Sequence, residues 1–192
     1  MTALAYQLTL YDHLAALPEG LSGEILNGQL YTQPRPSGRH GHVQTGLASD
    51  LVTPFERGRG GPGGWWILME PEVHFIRDTE VAVPDLAGWC RERMPRIPDG
   101  HRFEVAPDWV CEILSPGTES KDREIKLPLY AHYGVSHAWL LDPKKRRLEV
   151  YALDAGGGQQ PNWRLVLEAG EAQQVRAPPF GELLLNLELL WV

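Results

Sequence analysis

Glu112 is an acidic residue in otherwise apolar surroundings, the segment Trp109-Val110-Cys111-Glu112-Ile113-Leu114. In an extended strand Val110, Glu112 and Leu114 share one face and Trp109, Cys111 and Ile113 the other. Neither face reads as wet. A carboxylate there is costly unless a cation, a metal or good donors meet it; an exposed Glu on a half-wet strand is the simpler alternative. Asp85 closes the apolar run Val81-Ala82-Val83 directly after Pro84. Proline cannot donate to a sheet ladder, so the strand should bend there and aim the next side chain into a cleft, although a plain Pro-Asp turn also fits. The third element is Thr118 to Lys126, TESKDREIK, where Asp122 and Lys126 stand four apart and so share a helical face, which by itself suits an ordinary surface pair. Lysine is scarce: of 18 basic residues only Lys121, Lys126, Lys144 and Lys145 are lysines. Two acids on neighbouring strands with an ammonium arriving from the next helix would suit phosphodiester hydrolysis. Carboxylate oxygens are hard ligands for magnesium. The metal polarises a phosphate and lowers the pKa of a bound water, while a lysine positions that water or offsets developing charge.

The elements that must position these groups follow from hydropathy and turn residues. Residues 8–17 read as a short amphipathic helix stopped by Pro18 and Gly20. GEILNGQLYT places two apolar stretches around Asn27-Gly28, a strong hairpin signal. Val43, Leu47, Leu51 and Phe55 recur every four residues and predict a helix capped by Ser37 and ending near Pro54. After the glycine-rich connector 58–64, residues 65–76 and 79–89 flank Arg77-Asp78 as a second hairpin, and 90–107 read as a loop. A nearly continuous apolar strand at 108–114 leads to a helix from about Ser120 to Tyr133, which Pro128 should kink or split. Strands are expected at 137–142, 147–153 and 163–168, while NLELLWV suits either element. The order predicts a single domain over residues 1–192, of α+β or mixed α/β class.

Several of these motifs resemble one known family. VAVPDLAGW, then WVCEILSPGTESKDREIKLPLYAHYGVSHAWLLDP, is similar to the Uma-type restriction endonucleases of the PD-(D/E)XK nuclease superfamily. The match comprises a Pro-Asp pair, an apolar strand with Glu followed by Ser-Pro, an Asp-x-x-x-Lys helix, Tyr-x-x-x-Gly-Val, and a strand ending Trp-Leu-Leu-Asp-Pro. With GEILNGQL and the helix starting near His42, it spans roughly residues 10–155. The resemblance implies a restriction-endonuclease-like fold, with a central mixed β-sheet flanked by helices. It implies that Asp85 and Glu112 ligate Mg2+ or Mn2+, with the Ile113 carbonyl as a further ligand. The superfamily's lysine usually stands two residues after the second acid, where this chain has Leu114; Lys126 on the helix is its counterpart. Glu24 matches an early family Glu, an auxiliary acid or a polar strand residue. His42 stands at a family-like position, and a structural role at the helix start suits it better than a catalytic one. The implied activity is metal-dependent endonucleolytic hydrolysis of DNA, with a homodimer as a natural way to cut two strands. The alternatives are a nuclease acting on RNA and a nuclease fold that has lost catalysis and serves as a binding or assembly module.

Composition narrows the field further. The chain has 192 residues, 43% hydrophobic and 22% charged, enough for a real core. Its 20 Gly and 16 Pro argue against a helical bundle. A net charge of −7 speaks against holding nucleic acid mainly through a basic surface, but not against an acidic site neutralised by metal. No 18-residue apolar run is available for a membrane span. Met1 to Leu10 lack the basic start of a secretory signal, and two cysteines, Cys90 and Cys111, fit a reducing cytoplasm. Gly58, Gly60 and Gly63 satisfy G-x-G-x-x-G, but no strand precedes them and no helix follows, so dinucleotide binding is not expected. His40 and His42 are too few for structural zinc. The basic run 144–147 falls between two strands and reads as a solvated turn.

Overall fold

The computed structural model describes residues 7–154 and 161–191; the reading of Met1 to Leu10 as lacking a leader falls largely outside them. No helix among the described residues is long and apolar enough to cross a membrane.

Short-range signals account for much of the chain. Helix α1 (Leu10–Ala15) begins on a Thr9–Asp12 capping box. Strands β1 (Leu21–Leu26) and β2 (Gln29–Pro34) pair around Asn27 and Gly28, whose φ values of 51° and 74° are those a tight hairpin turn demands. Helix α2 (Gly38–Leu51) starts at Ser37, whose side chain accepts from the His40 N–H, and ends in a π-turn, Val52–Glu56, that contains Pro54.

The expected second hairpin forms, with a difference. Each arm is cut in two by a proline. The first arm gives β3 (Trp65–Met69) and β4 (Glu72–Ile76) on either side of Pro71; the second gives β5 (Glu80–Ala82) and β6 (Leu86–Cys90) on either side of Pro84. With no N–H to donate at either proline, the ladder cannot run through, and the ribbon is divided between two sheets. One sheet runs β2-β1-β5-β4-β7, where β7 (Arg102–Phe103) is a two-residue strand inside the region expected to be loop. The other runs β11-β10-β9-β8-β6-β3, formed with β8 (Trp109–Ile113), β9 (His137–Asp142), β10 (Arg147–Asp154) and β11 (Asn162–Gly170). This second sheet is mixed: β8 and β9 are parallel and its other pairs antiparallel.

The connection from β8 to β9 is helical, as parallel neighbours require. It comprises α3 (Glu119–Lys121), a π-turn Asp122–Lys126, and α4 (Leu127–His132). Pro128 sits in the first turn of α4 and cannot donate to a carbonyl four residues back. The wider π-turn just before it absorbs that missing bond. The C-terminal segment resolves into β12 (Gln174–Val175), β13 (Leu185–Asn186) and a 3-10 turn, Leu187–Leu190.

Helices cover both faces of the six-stranded sheet. Val43, Leu47 and Leu51 of α2 join Trp109, Cys111 and Ile113 in one cluster, and Leu129 and Tyr130 of α4 join Val110 and Ala138 in another. That explains why β8 is apolar on both sides, and it places Glu112, on the Val110 side, beneath α4.

A separate ionic network ties the helical connection to β10. Arg123 meets Glu149 through two hydrogen bonds of 2.8 and 2.9 Å, and Tyr151 and Arg147 also reach that carboxylate. Burial opposes its charge, but the bonds from Arg123 and Tyr151 prevail and hold the Glu149 carboxyl down to about 2. Such a depressed carboxyl stabilises the fold above the ordinary Glu range, and the contribution fades as pH falls toward 2. Glu149→Gln should therefore cost about 2 kcal/mol at neutral pH. In urea melts the gap from wild type should close between pH 4.5 and 2; a gap that stays constant would refute the assignment.

Candidate active site

The division of the ribbon between sheets creates the site. Val83, Pro84 and Asp85 are the crossing from β5 to β6, so Asp85 stands just ahead of a strand end. Leu86 pairs with Cys111 as the last pair of the β6–β8 ladder, and Asp85, one residue beyond it, reaches across to the neighbouring strand at Ile113. The carboxylate of Asp85 is fixed from two sides: Oδ2 accepts the Ile113 N–H at 2.6 Å and Oδ1 accepts from His40 Nε2 at 3.0 Å. Gln44 secures the backbone, donating to the Asp85 carbonyl at 2.9 Å.

Glu112 is 3% exposed. Its Oε1 receives both the Tyr130 hydroxyl and, at 2.8 Å, the Lys126 ammonium; Oε2 receives neither. Lys126 is 2% exposed, so the surface-pair alternative does not hold. Its Nζ also lies 2.8 Å from Glu24 Oε1 and donates to the Val83 carbonyl at 3.1 Å. Asp122, its neighbour across the π-turn, is buried too. Both lie in the π-turn Asp122–Lys126, on the side of the helical connection that faces the protein interior.

Glu24, on β1, is 2% exposed and does more than fill a strand position. Besides Lys126 it binds the Lys121 ammonium through Oε2, and its Oε1 accepts the Val83 N–H at 2.9 Å. One carboxylate therefore joins two lysines of the helical connection to the crossing that carries Asp85.

The protonation pattern follows from the partners. Burial pushes Glu24 up, but the two ammonium groups outweigh it and hold its carboxyl below the usual range. Burial works to lower Lys126, yet the facing carboxylates of Glu112 and Glu24 hold it well above the ordinary lysine value, so it stays charged. Glu112 is pushed well above the carboxylate range, chiefly by burial and also by Asp122, Asp85 and Glu24, against the pull of Lys126. The two partners of this pair point in opposite directions. The charge on Lys126 is the firmer, because Glu24 supports it independently. Glu112 is then the acid still short of positive charge.

The four acids Glu24, Asp85, Glu112 and Asp122 thus outnumber the two lysines among them. A dication is the natural complement of that imbalance. Among the described residues no group of three or more Asp, Glu, His or Cys side chains is arranged to hold a metal alone. Magnesium does not need one: it is held by one or two carboxylates and keeps waters and substrate oxygens as its remaining ligands. Asp85 and Glu112, both lining the cleft, are the carboxylates that could serve as such a pair.

Asp85, Glu112, Lys126, Asp122 and His40 line one cleft of about 690 Å3, bounded by the β1–β2 hairpin on one side and the Ser115–Thr118 loop on the other. Asp85, Glu112, Lys126 and Glu24 are thus brought together as the sequence leads one to expect. His42 is not: it is exposed on α2 and makes no contact with the acids, while His40, two residues earlier, does. Lys121, Tyr130 and Gln44 escape a sequence reading because their partners lie 97, 18 and 41 residues away. Lys121 alone carried a signal, as one of only four lysines. The basic run behaves as a turn: Lys145 meets Glu119 and Asp142, and Arg147 meets Glu149 and Glu168.

Known proteins share this arrangement of elements. A crystal structure described as that of a putative nuclease belonging to DUF820, from Anabaena variabilis, superposes with a TM-score of 0.72 at 25% identity, covering 96% of this chain and 98% of that one. The fold is accordingly restriction-endonuclease-like. An uncharacterized protein of Synechocystis is 27% identical over 118 residues, a match covering 62% of this chain and 58% of the relative's length. The model of the Uma2 family, described as "putative restriction endonuclease", matches residues 8–188, and the chain belongs to that family.

Proposed function

We propose that the chain is a metal-dependent endonuclease that hydrolyses phosphodiester bonds of DNA in the cleft between the β1–β2 hairpin and the Ser115–Thr118 loop. The observation that carries this reading is the buried Glu112–Lys126 contact of 2.8 Å with Asp85 lining the same cleft. Asp85 and Glu112, with the Ile113 carbonyl, are the groups that would hold Mg2+ or Mn2+. When bound, such an ion supplies Lewis-acid polarisation of the phosphate and a water of lowered pKa.

The chain's own residues supply the rest. Lys126, kept charged by two carboxylates, presents a fixed ammonium beside Glu112, where its positive charge offsets charge building on the phosphorane. It cannot swing away, because Glu24, Glu112 and the Val83 carbonyl each hold one direction of its Nζ. His40 and the Ile113 N–H fix the Asp85 carboxylate, so its geometry is set before substrate arrives. Cutting both strands of a duplex takes two such clefts, which a homodimer would provide.

Asp85→Asn tests the assignment. The amide keeps the shape and the His40 side of the network but removes a negative ligand. Calorimetric titration with magnesium should show wild-type binding and a loss of at least about tenfold in the variant, with cleavage of labelled DNA falling in parallel. Magnesium binding that is unchanged in Asp85→Asn would eliminate the metal site. The net charge of −7 favours one other reading, a nuclease fold kept as a binding or assembly module; wild-type protein that binds no divalent ion would select it. Labelled RNA substrates alongside DNA decide the polymer.

A further inference from the structure

Three basic side chains line the cleft: Arg35, His40 and Lys126. Two are committed to the protein's own acids, His40 to Asp85 and Lys126 to Glu24 and Glu112. Among the described residues Arg35 has no hydrogen-bond or ion-pair partner, and it is exposed. In a chain with 25 acidic residues against 18 basic ones, an unpaired guanidinium at the rim of an acidic cleft stands out.

Its backbone is constrained as well. Arg35 lies between Pro34 and Pro36. Pro34 closes β2 in register with Leu21 of β1, its ring locks the φ angle just before Arg35, and Pro36 confines Arg35 itself to extended conformations. The side chain is thus displayed from a stiff stalk, and less freedom is lost when it binds. Ser37, which caps α2, and Ser115 and Thr118 on the opposite loop add hydroxyl groups to the same cleft.

We propose that Arg35 is a substrate-binding residue that grips a backbone phosphate of the nucleic acid strand entering the cleft, next to the phosphate being cut. Guanidinium matches two phosphate oxygens with paired N–H donors, which neither lysine of the site is free to do. This rests on the nuclease reading above and assigns the cleft its entry side, the Pro34–Ser37 wall.

The test is fluorescence anisotropy of the full chain with a fluorescein-labelled DNA oligonucleotide, calcium replacing magnesium, across a salt series. Arg35→Gln should weaken binding about tenfold at low salt and lower the slope of log K against log salt by about 0.9. Arg35→Lys should restore much of the affinity, and the melting temperature should not move, since the residue is exposed and unpartnered. Arg59→Gln, in the glycine-rich connector, removes the same charge away from the cleft and should leave binding as it was. Binding by Arg35→Gln equal to wild type, or an equal loss in Arg59→Gln, would overturn the assignment. Wild-type protein that holds no DNA under these conditions would overturn the nuclease reading itself, and the role of Arg35 with it.

Discussion

Replacing Glu112 by Gln is expected to reduce metal-dependent cleavage by at least ~10³-fold while leaving the protein folded. The substitution keeps volume and keeps an acceptor for Tyr130, but removes the negative charge. Two effects then coincide: the metal pair loses one carboxylate, and Lys126 loses one of the two that fix it. The ammonium is not abandoned in a dry site, because Glu24 still lies 2.8 Å away. A buried carboxylate opposed by burial and by three neighbouring acids contributes little net stability. Stability should therefore change by less than about 2 kcal/mol. Thermal melts and a magnesium-dependent cleavage assay on the same preparation read the two quantities separately. Wild-type turnover in Glu112→Gln would end the case for this site, whereas loss of both fold and cleavage would show Glu112 to be structural.

Glu24→Ala should produce the opposite balance. Its carboxylate, itself buried, meets the buried Lys126, the partly exposed Lys121 and the Val83 N–H. Truncation leaves two lysines with fewer acids and an amide with no acceptor, and breaking a buried ionic cluster in this way costs about 3–5 kcal/mol. For a domain of this size the melting temperature should fall by roughly 10 °C or more. Cleavage should fall too, because the Val83–Asp85 crossing is no longer held against Lys126. Magnesium affinity of the folded protein should change little, since both oxygens of Glu24 are already taken up by Lys121, Lys126 and the Val83 N–H. Glu24→Gln, which keeps an acceptor for Val83, should recover part of the stability. A melting temperature within a few degrees of wild type in Glu24→Ala would refute a clamping role. A strong loss of magnesium binding would instead return Glu24 to the role of auxiliary ligand.

The two substitutions probe different layers of one design. Glu112 faces the cleft and is electrostatically under-supported, which is common where a protein waits for an external cation. Glu24 faces the protein and is over-supported. The sequence shows both as acids in apolar strands and offers no way to rank them, since the distinction depends on how many cations each meets.

What the sequence by itself determined is local and chemical. The Asn27-Gly28 turn, the Ser37 cap, the apolar run around Glu112 and the break at Pro84 are short-range consequences of residue type, and each appears where the residues place it. The alternation in β8 also foretold that Glu112 would share a face with Val110, because a strand has no other way to arrange side chains. Tertiary structure decided the rest. Pro71 and Pro84 end ladders, but only the pairing of β3 with β6 and β4 with β5 turns two breaks into a crossing between sheets. Pro128 predicts a disturbed helix; that the disturbance is a π-turn carrying Asp122 and Lys126 inward depends on what α4 packs against. His40 prevails over His42 because a helix of 3.6 residues per turn points positions two apart in nearly opposite directions, and which one meets Asp85 is set by how α2 lies on the sheet. Contacts between residues 24, 85, 112 and 126 span loops whose closure is dictated by the whole core, and no local pattern in the chain encodes them.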